Sequence, residues 1–330
     1  MAKQFPKIDI FTHILPDKYR KALYKKAQGS LYMEGLENHH NAIPALFDIE
    51  LRLSTMKGYE GLRQVLTIIS PPLEMVANPS DAVELAKMAN EEMAGVVAKY
   101  PDHFVAGVAC LPMNDIDAAL KEAERAIEAL NMKGVLIYTP CNGKPLDSPE
   151  FFPLYEMMTK YDLPIWLHPT RGADTPDYKN ESHSKYRIFQ TVGWLYETTV
   201  AMMRLVLSGT LARYPSLKII THHCGAMVPY FAARLCGEHK ALEKAAGINT
   251  GLSKPPVEYF KLFYADTALS GYTPGLMCGY AFFGAEHMVF GSDLPFGNIE
   301  RKIASVEQMD IPELHKHQIF EGNAKRLLHI

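Results

Sequence analysis

The chain has no Cys-x-x-Cys pair. Its five cysteines (Cys110, Cys141, Cys224, Cys236 and Cys278) are scattered and odd in number. That fits free thiols in a reducing compartment better than a disulfide framework. No apolar run approaches the roughly 18 residues that a membrane span needs. The opening Met1-Ala2-Lys3-Gln4-Phe5-Pro6-Lys7 lacks the apolar core of a secretory leader. Excess positive charge is missing too. The net charge is -3 and no Lys/Arg face stands out, which argues against a nucleic-acid surface. The expectation is a soluble cytoplasmic protein without membrane or nucleic-acid partners.

What is present is hydrophobic content of 48%, enough for a large core. Eight short, near-continuously apolar segments read as strands: Ile8–Ile14, Arg63–Ser70, Phe104–Leu111, Lys133–Thr139, Pro164–His168, Leu217–His223, Phe260–Asp266 and Met288–Gly291. Helical patterns separate most of them, as over Ser80–Tyr100, Asp115–Leu130, Phe151–Tyr161 and Val192–Leu207. Strands without polar alternation are buried on both faces, hence parallel and covered by helices. Eight such units predict one (β/α)₈ barrel domain over residues 1–330. An open doubly wound sheet fits less well, because the Gly-rich turn of a dinucleotide fold is absent after strand one. The long connection from Pro16 to Gly61 is expected to form a cover with small elements of its own.

In such a barrel the C-terminal strand ends converge on one mouth. His13 ends strand one, His168 strand five and His223 strand six, and Asp293 follows strand eight. Imidazole with carboxylate suits zinc or a similar divalent ion with an open position. Only one of the adjacent His222 and His223 can face inward along a regular strand. Alternation counted from Leu217 selects His223, and a histidine beside a metal-bound water is a natural general base or acid. Phe11 and His13 share a face, with Asp9 further back along it. The pair His39-His40, in the cover, reads as solvated. Arg52 and Arg234 are of the type that grips carboxylates.

These stretches together resemble an amidohydrolase-related (β/α)₈ family. It includes α-amino-β-carboxymuconate-ε-semialdehyde decarboxylase and the γ-resorcylate and other hydroxybenzoate decarboxylases. The resemblance rests on Ile8–Pro16, Trp166-Leu167-His168-Pro169, Tyr196-Glu197-Thr198-Thr199, the run from Tyr214-Pro215 to His223, and Phe290-Gly291-Ser292-Asp293-Leu294-Pro295-Phe296. It implies metal ligation by His13, His168 and Asp293, with His223 as the catalytic histidine. It also implies that Arg52 binds the substrate carboxylate and that a partner subunit inserts Arg234, hence a homodimer. Phe11 departs from the family pattern, because it stands where the family has a histidine or glutamate ligand.

The resulting expectation is a metal-dependent lyase, using zinc in preference to manganese, that decarboxylates a small unsaturated or aromatic carboxylic acid. His223 and Asp293 would handle protons, and Arg52 and Arg234 would hold the substrate's anionic groups. Hydrolysis of a lactone, ester or amide in the same pocket, even without metal, is the alternative. A binding barrel that has lost its activity is a third reading.

Overall fold

The computed structural model describes residues 5–28, 31–237, 239–247 and 250–330. Parallel strands build its centre, in the order of the chain. We number them β1 (Lys7–Ile14), β2 (Leu62–Ile68), β3 (Phe104–Gly107 continued by Ala109–Cys110), β4 (Val135–Thr139), β5 (Ile165–Pro169), β6 (Ile219–Thr221), β7 (Tyr264–Asp266) and β8 (Met288–Val289). The third stave breaks only at Val108. There the chain changes neighbour, with Val108 N donating to Leu66 O (2.9 Å) and Ala109 N to Gly134 O (2.9 Å).

The ring closes between its first and last members. Ile10 N donates to Phe290 O (2.8 Å), His13 N to Leu294 O (2.6 Å) and Asp293 N to Phe11 O (3.0 Å). The fold is thus the (β/α)₈ barrel that the alternation of apolar strands and helices predicts.

Inward side chains from every stave fill the interior, among them Ile8, Val65, Ala106, Leu136, Trp166, Ile220, Tyr264 and Val289. Ala324, Leu327 and Leu328 of the last helix join this filling. A second, larger apolar cluster lies between staves and helices, as burial on both strand faces requires. The helices begin where polar caps allow. Asn78 caps Pro79–Lys99, Asp115 caps Ile116–Leu130 and Asn298 caps Ile299–Glu307, each accepting a main-chain N–H three residues on.

The segment after β1 does carry elements of its own, the helices Asp17–Lys26, Leu31–Asn41 and Ile49–Met56. Several strands are shorter than the apolar runs imply. Leu217–His223 contributes only Ile219–Thr221, and Phe260 belongs to a short helix, Pro256–Phe260.

Candidate active site

The two-residue strand period places most of the site. Trp166, Ile220 and Tyr264 face inward, so His168, His222 and Asp266, each two residues further, face inward at the C-terminal ends. On β1 the register shifts between Asp9 and Thr12. Ile8 and Ile10 therefore point in before the shift and Phe11 after it. His13 shares Phe11's side, its ring edge-on to His168 at 5.2 Å. Asp9 falls on the other side, against the expectation from unbroken alternation. It accepts bonds from Ser292 N (2.8 Å) and Ser292 Oγ.

Three buried histidines, His13, His168 and His222, have at most 3% of their surface exposed. Each has its Nδ1 engaged by protein. Thr67 Oγ1 donates to Thr12 O (3.0 Å), so it accepts from His13 Nδ1 at 3.2 Å. His168 Nδ1 donates to Pro169 O (2.6 Å), and His222 Nδ1 to Asp266 Oδ2. These partners place the proton on Nδ1 of each ring, leaving the three Nε2 lone pairs to face a common point.

Asp293 Oδ1 completes the cluster, 3.2 Å from His13 Nε2 and 3.5 Å from His222 Nε2. Its backbone is in the left-handed region at φ 63°, a conformation that costs free energy and that a surrounding structure must enforce. The hydrogen bond from its N–H to Phe11 O contributes to that enforcement.

Burial and the neighbouring charges set the protonation states. Burial disfavours the charged carboxyl of Asp293, but His13 and His222 hold it well below the usual carboxylate range. Burial likewise opposes charge on His222, yet Asp266 and Asp293 outweigh it and push its pKa up to about 9. Burial lowers His13, and burial with the surrounding imidazoles takes His168 well below the ordinary histidine value. A divalent cation would relieve this frustration, since it needs neutral imidazoles and an ionised carboxylate. Among the described residues, His13–His168–His222 and His222–His223–Asp293 each bring their ligand atoms within 4.8 Å of one another. The donor set fits a divalent ion.

His13, His168 and Asp293 thus come together as expected, but the histidine facing the cluster from β6 is His222. The regular strand ends at Thr221, and His223 and Cys224 take positive φ values of 55° and 56°. Alternation counted through this turn fails. His223 lies beside the site, its ring 3.9 Å from that of His222 and 6.4 Å from that of Trp194. Burial and the His222 charge lower its pKa to about 3, so it is neutral at neutral pH.

Arg52 lies behind β1, away from the histidine cluster. It is 3% exposed, and it donates to Gln64 Oε1 (2.7 Å), His13 O (2.5 Å) and Thr12 Oγ1 (2.7 Å). Those bonds brace β1 from behind. Arg234 is exposed on the helix Val228–Cys236, beside the exposed Tyr230 and Phe231.

Of the two cover histidines, expected to be solvated, His39 is half-buried and His40 is withdrawn from solvent. His40 is fully buried, its Nδ1 3.1 Å from Tyr24 Oη. His39 stacks on Phe296 (ring centroids 5.8 Å apart), whose ring meets that of His13 at 5.9 Å. Asp266 and His222 had one usable signal in the sequence. In Trp166-x-His168, Ile220-x-His222 and Tyr264-x-Asp266, a large interior residue stands two places before a polar one.

Residues 8–330 match the model of the amidohydrolase family. The γ-resorcylate decarboxylase of Polaromonas sp. strain JS666 is 33% identical, over 86% of this chain and 88% of that protein. The crystal structure of 5-carboxyvanillate decarboxylase from Sphingomonas paucimobilis superposes with a TM-score of 0.85 at 26% identity, covering 99% of both chains. Dihydroxybenzoic acid decarboxylase from Polaromonas sp. JS666, solved with bound manganese and the inhibitor 2-nitroresorcinol, gives 0.78 at 28% identity, covering 98% of this chain and 97% of that one. The chain belongs to the amidohydrolase family.

Proposed function

We propose that this protein is a metal-dependent carboxy-lyase that releases CO₂ from a small aromatic or unsaturated carboxylic acid. The observation that carries this reading is the convergence of buried imidazole Nε2 atoms on the Asp293 carboxylate at the barrel mouth. The similar decarboxylases act on hydroxylated benzoates, and the manganese in one of them favours manganese over zinc here.

His13, His168 and Asp293 would hold the ion. When bound, it supplies positive charge for the substrate's carboxylate or neighbouring hydroxyl and so steadies the electron pair left behind. In the reaction the bond from carbon to the carboxylate breaks, the pair stays on that carbon, and a proton takes the place of CO₂. His223, neutral and with Nδ1 buried and unpartnered, would pass that proton. The ring of Trp194 lies 5.4 Å from that of His168 and forms an apolar wall for the substrate.

A homodimer would supply the missing anion-binding group. Exposed Tyr230 and Phe231 flank the exposed Arg234, a composition typical of interface centres. The five free cysteines fit a cytoplasmic setting. The test is CO₂ release from a panel of hydroxybenzoates, before and after chelation and with Mn²⁺ added back. Turnover that survives complete chelation, or a ring-opened acid from a lactone instead of CO₂, would sink this reading.

A further inference from the structure

Four donors surround the mouth of the barrel, and only three have so far been given to the ion. We propose that His222 is the fourth protein ligand, which leaves His223 outside the coordination sphere; this rests on the metal-dependent reading above.

The first support is an orphaned atom. His222 is fully buried, and its Nε2 has no hydrogen-bond partner. Buried polar nitrogens are seldom left so, and each instance calls for an explanation such as an absent ion. Asp293 Oδ1 stands 3.5 Å away, and no hydrogen bond joins the two.

The second is spacing. Two ligand atoms held at about 2.1 Å from one ion stand roughly 3.0–3.4 Å apart. Asp293 Oδ1 lies 3.2 Å from His13 Nε2 and 3.5 Å from His222 Nε2, near that separation. The ligand atoms of His13, His168 and His222 also lie within 4.8 Å of one another.

The third is the support behind the ring. A ligating histidine commonly donates its other N–H to a carboxylate, which fixes tautomer and orientation. Asp266 Oδ2 takes that place behind His222, and its Oδ1 is held by Cys224 N (3.0 Å) and Ala268 N (3.0 Å). Phe11 completes the mount. Its ring stacks on that of His222 with centroids 4.1 Å apart and planes 24° apart, while His223 packs against His222 at 3.9 Å. Phe11 is a residue that cannot donate to an ion. It buttresses one that can.

The competing role for His222 is proton transfer alone, and metal binding separates the two. Metal-free enzyme would be titrated with Mn²⁺, following free Mn²⁺ by electron paramagnetic resonance, for the native chain, His222→Ala and His223→Ala. The expected result is an affinity loss of about a hundredfold for His222→Ala and under about threefold for His223→Ala, with turnover lost in both. A native enzyme that binds no Mn²⁺ overturns the metal-dependent reading itself, and this inference with it. Native binding matched within threefold by His222→Ala overturns this inference alone. X-ray absorption on the metal-loaded native enzyme decides the matter even if His222→Ala does not fold. Three imidazoles around the ion support the assignment, and two refute it.

Discussion

Asp9 and Ser292 are joined across the closing seam of the barrel, 283 positions apart in the chain. The Asp9 carboxylate accepts from both the backbone and the hydroxyl of Ser292, and that hydroxyl in turn accepts from Leu294 N (3.0 Å). Both side chains are fully buried. Removing the hydroxyl in Ser292→Ala leaves a buried carboxylate under-satisfied, at a cost of about 1–3 kcal/mol. Because the same turn presents Asp293, urea unfolding should show the loss and Mn²⁺ affinity should fall with it. Unchanged values for both would mean that the seam does not hold the metal-binding loop.

Asp266 provides a test that changes no ligand. Asp266→Asn keeps the shape behind His222 but weakens its hold on the Nδ1 proton. A substitution of this kind lowers metal affinity by about 10–100-fold. The measurement is Mn²⁺ binding alongside unfolding. A drop in stability with intact affinity would limit Asp266 to a structural part.

How far the sequence reveals this site depends on where the strands are regular. On β5, Trp166 and His168 share a face and the strand continues to Pro169, so His168 is legible. On β6, Ile219 and Ile220 are both apolar, and hydrophobicity alone cannot set which faces in. Counting through the turn at His223 then selects His223 as the inward residue, whereas it is His222 whose Nε2 lies 3.5 Å from Asp293 Oδ1. On β1 the register shift after Asp9 has no mark in composition, so Asp9 is misplaced although Phe11 and His13 are read correctly. The barrel survives such local errors because eight buried strands are specified redundantly. A site made of single residues has no such redundancy.

Arg52 separates a substrate contact from a brace. Substituted by Met, it leaves Gln64, the His13 carbonyl and the Thr12 hydroxyl without their buried donor. The expected loss is about 3–5 kcal/mol in urea unfolding, the cost of breaking a buried charged network. KM of the surviving folded enzyme should change little. A large rise in KM at native stability would return Arg52 to the substrate.

The proposed insertion of Arg234 into a partner's site in a homodimer can be tested by complementation. The Arg234→Ala and Asp293→Ala proteins should each be inactive alone. Mixing them by unfolding and refolding would create hybrids with one intact site, recovering about a quarter of native turnover if pairing is random. Mixtures as inactive as their parents would place Arg234 outside the neighbouring site.

His40 makes the cover sensitive to acid. Burial lowers its pKa to about 4, with His39 and His13 nearby opposing a further charge. The unfolded chain, at about 6.5, binds the proton first as pH falls. Neutral His40 therefore contributes stability that is complete above about pH 6.5 and drains away as pH falls toward 4, about 3 kcal/mol in total. In His40→Gln this part of the pH dependence should flatten. Unfolding curves at pH 7 and pH 4.5 for both proteins measure it. The native protein should lose more stability between those values than the variant, and equal losses would place the acid sensitivity in other groups.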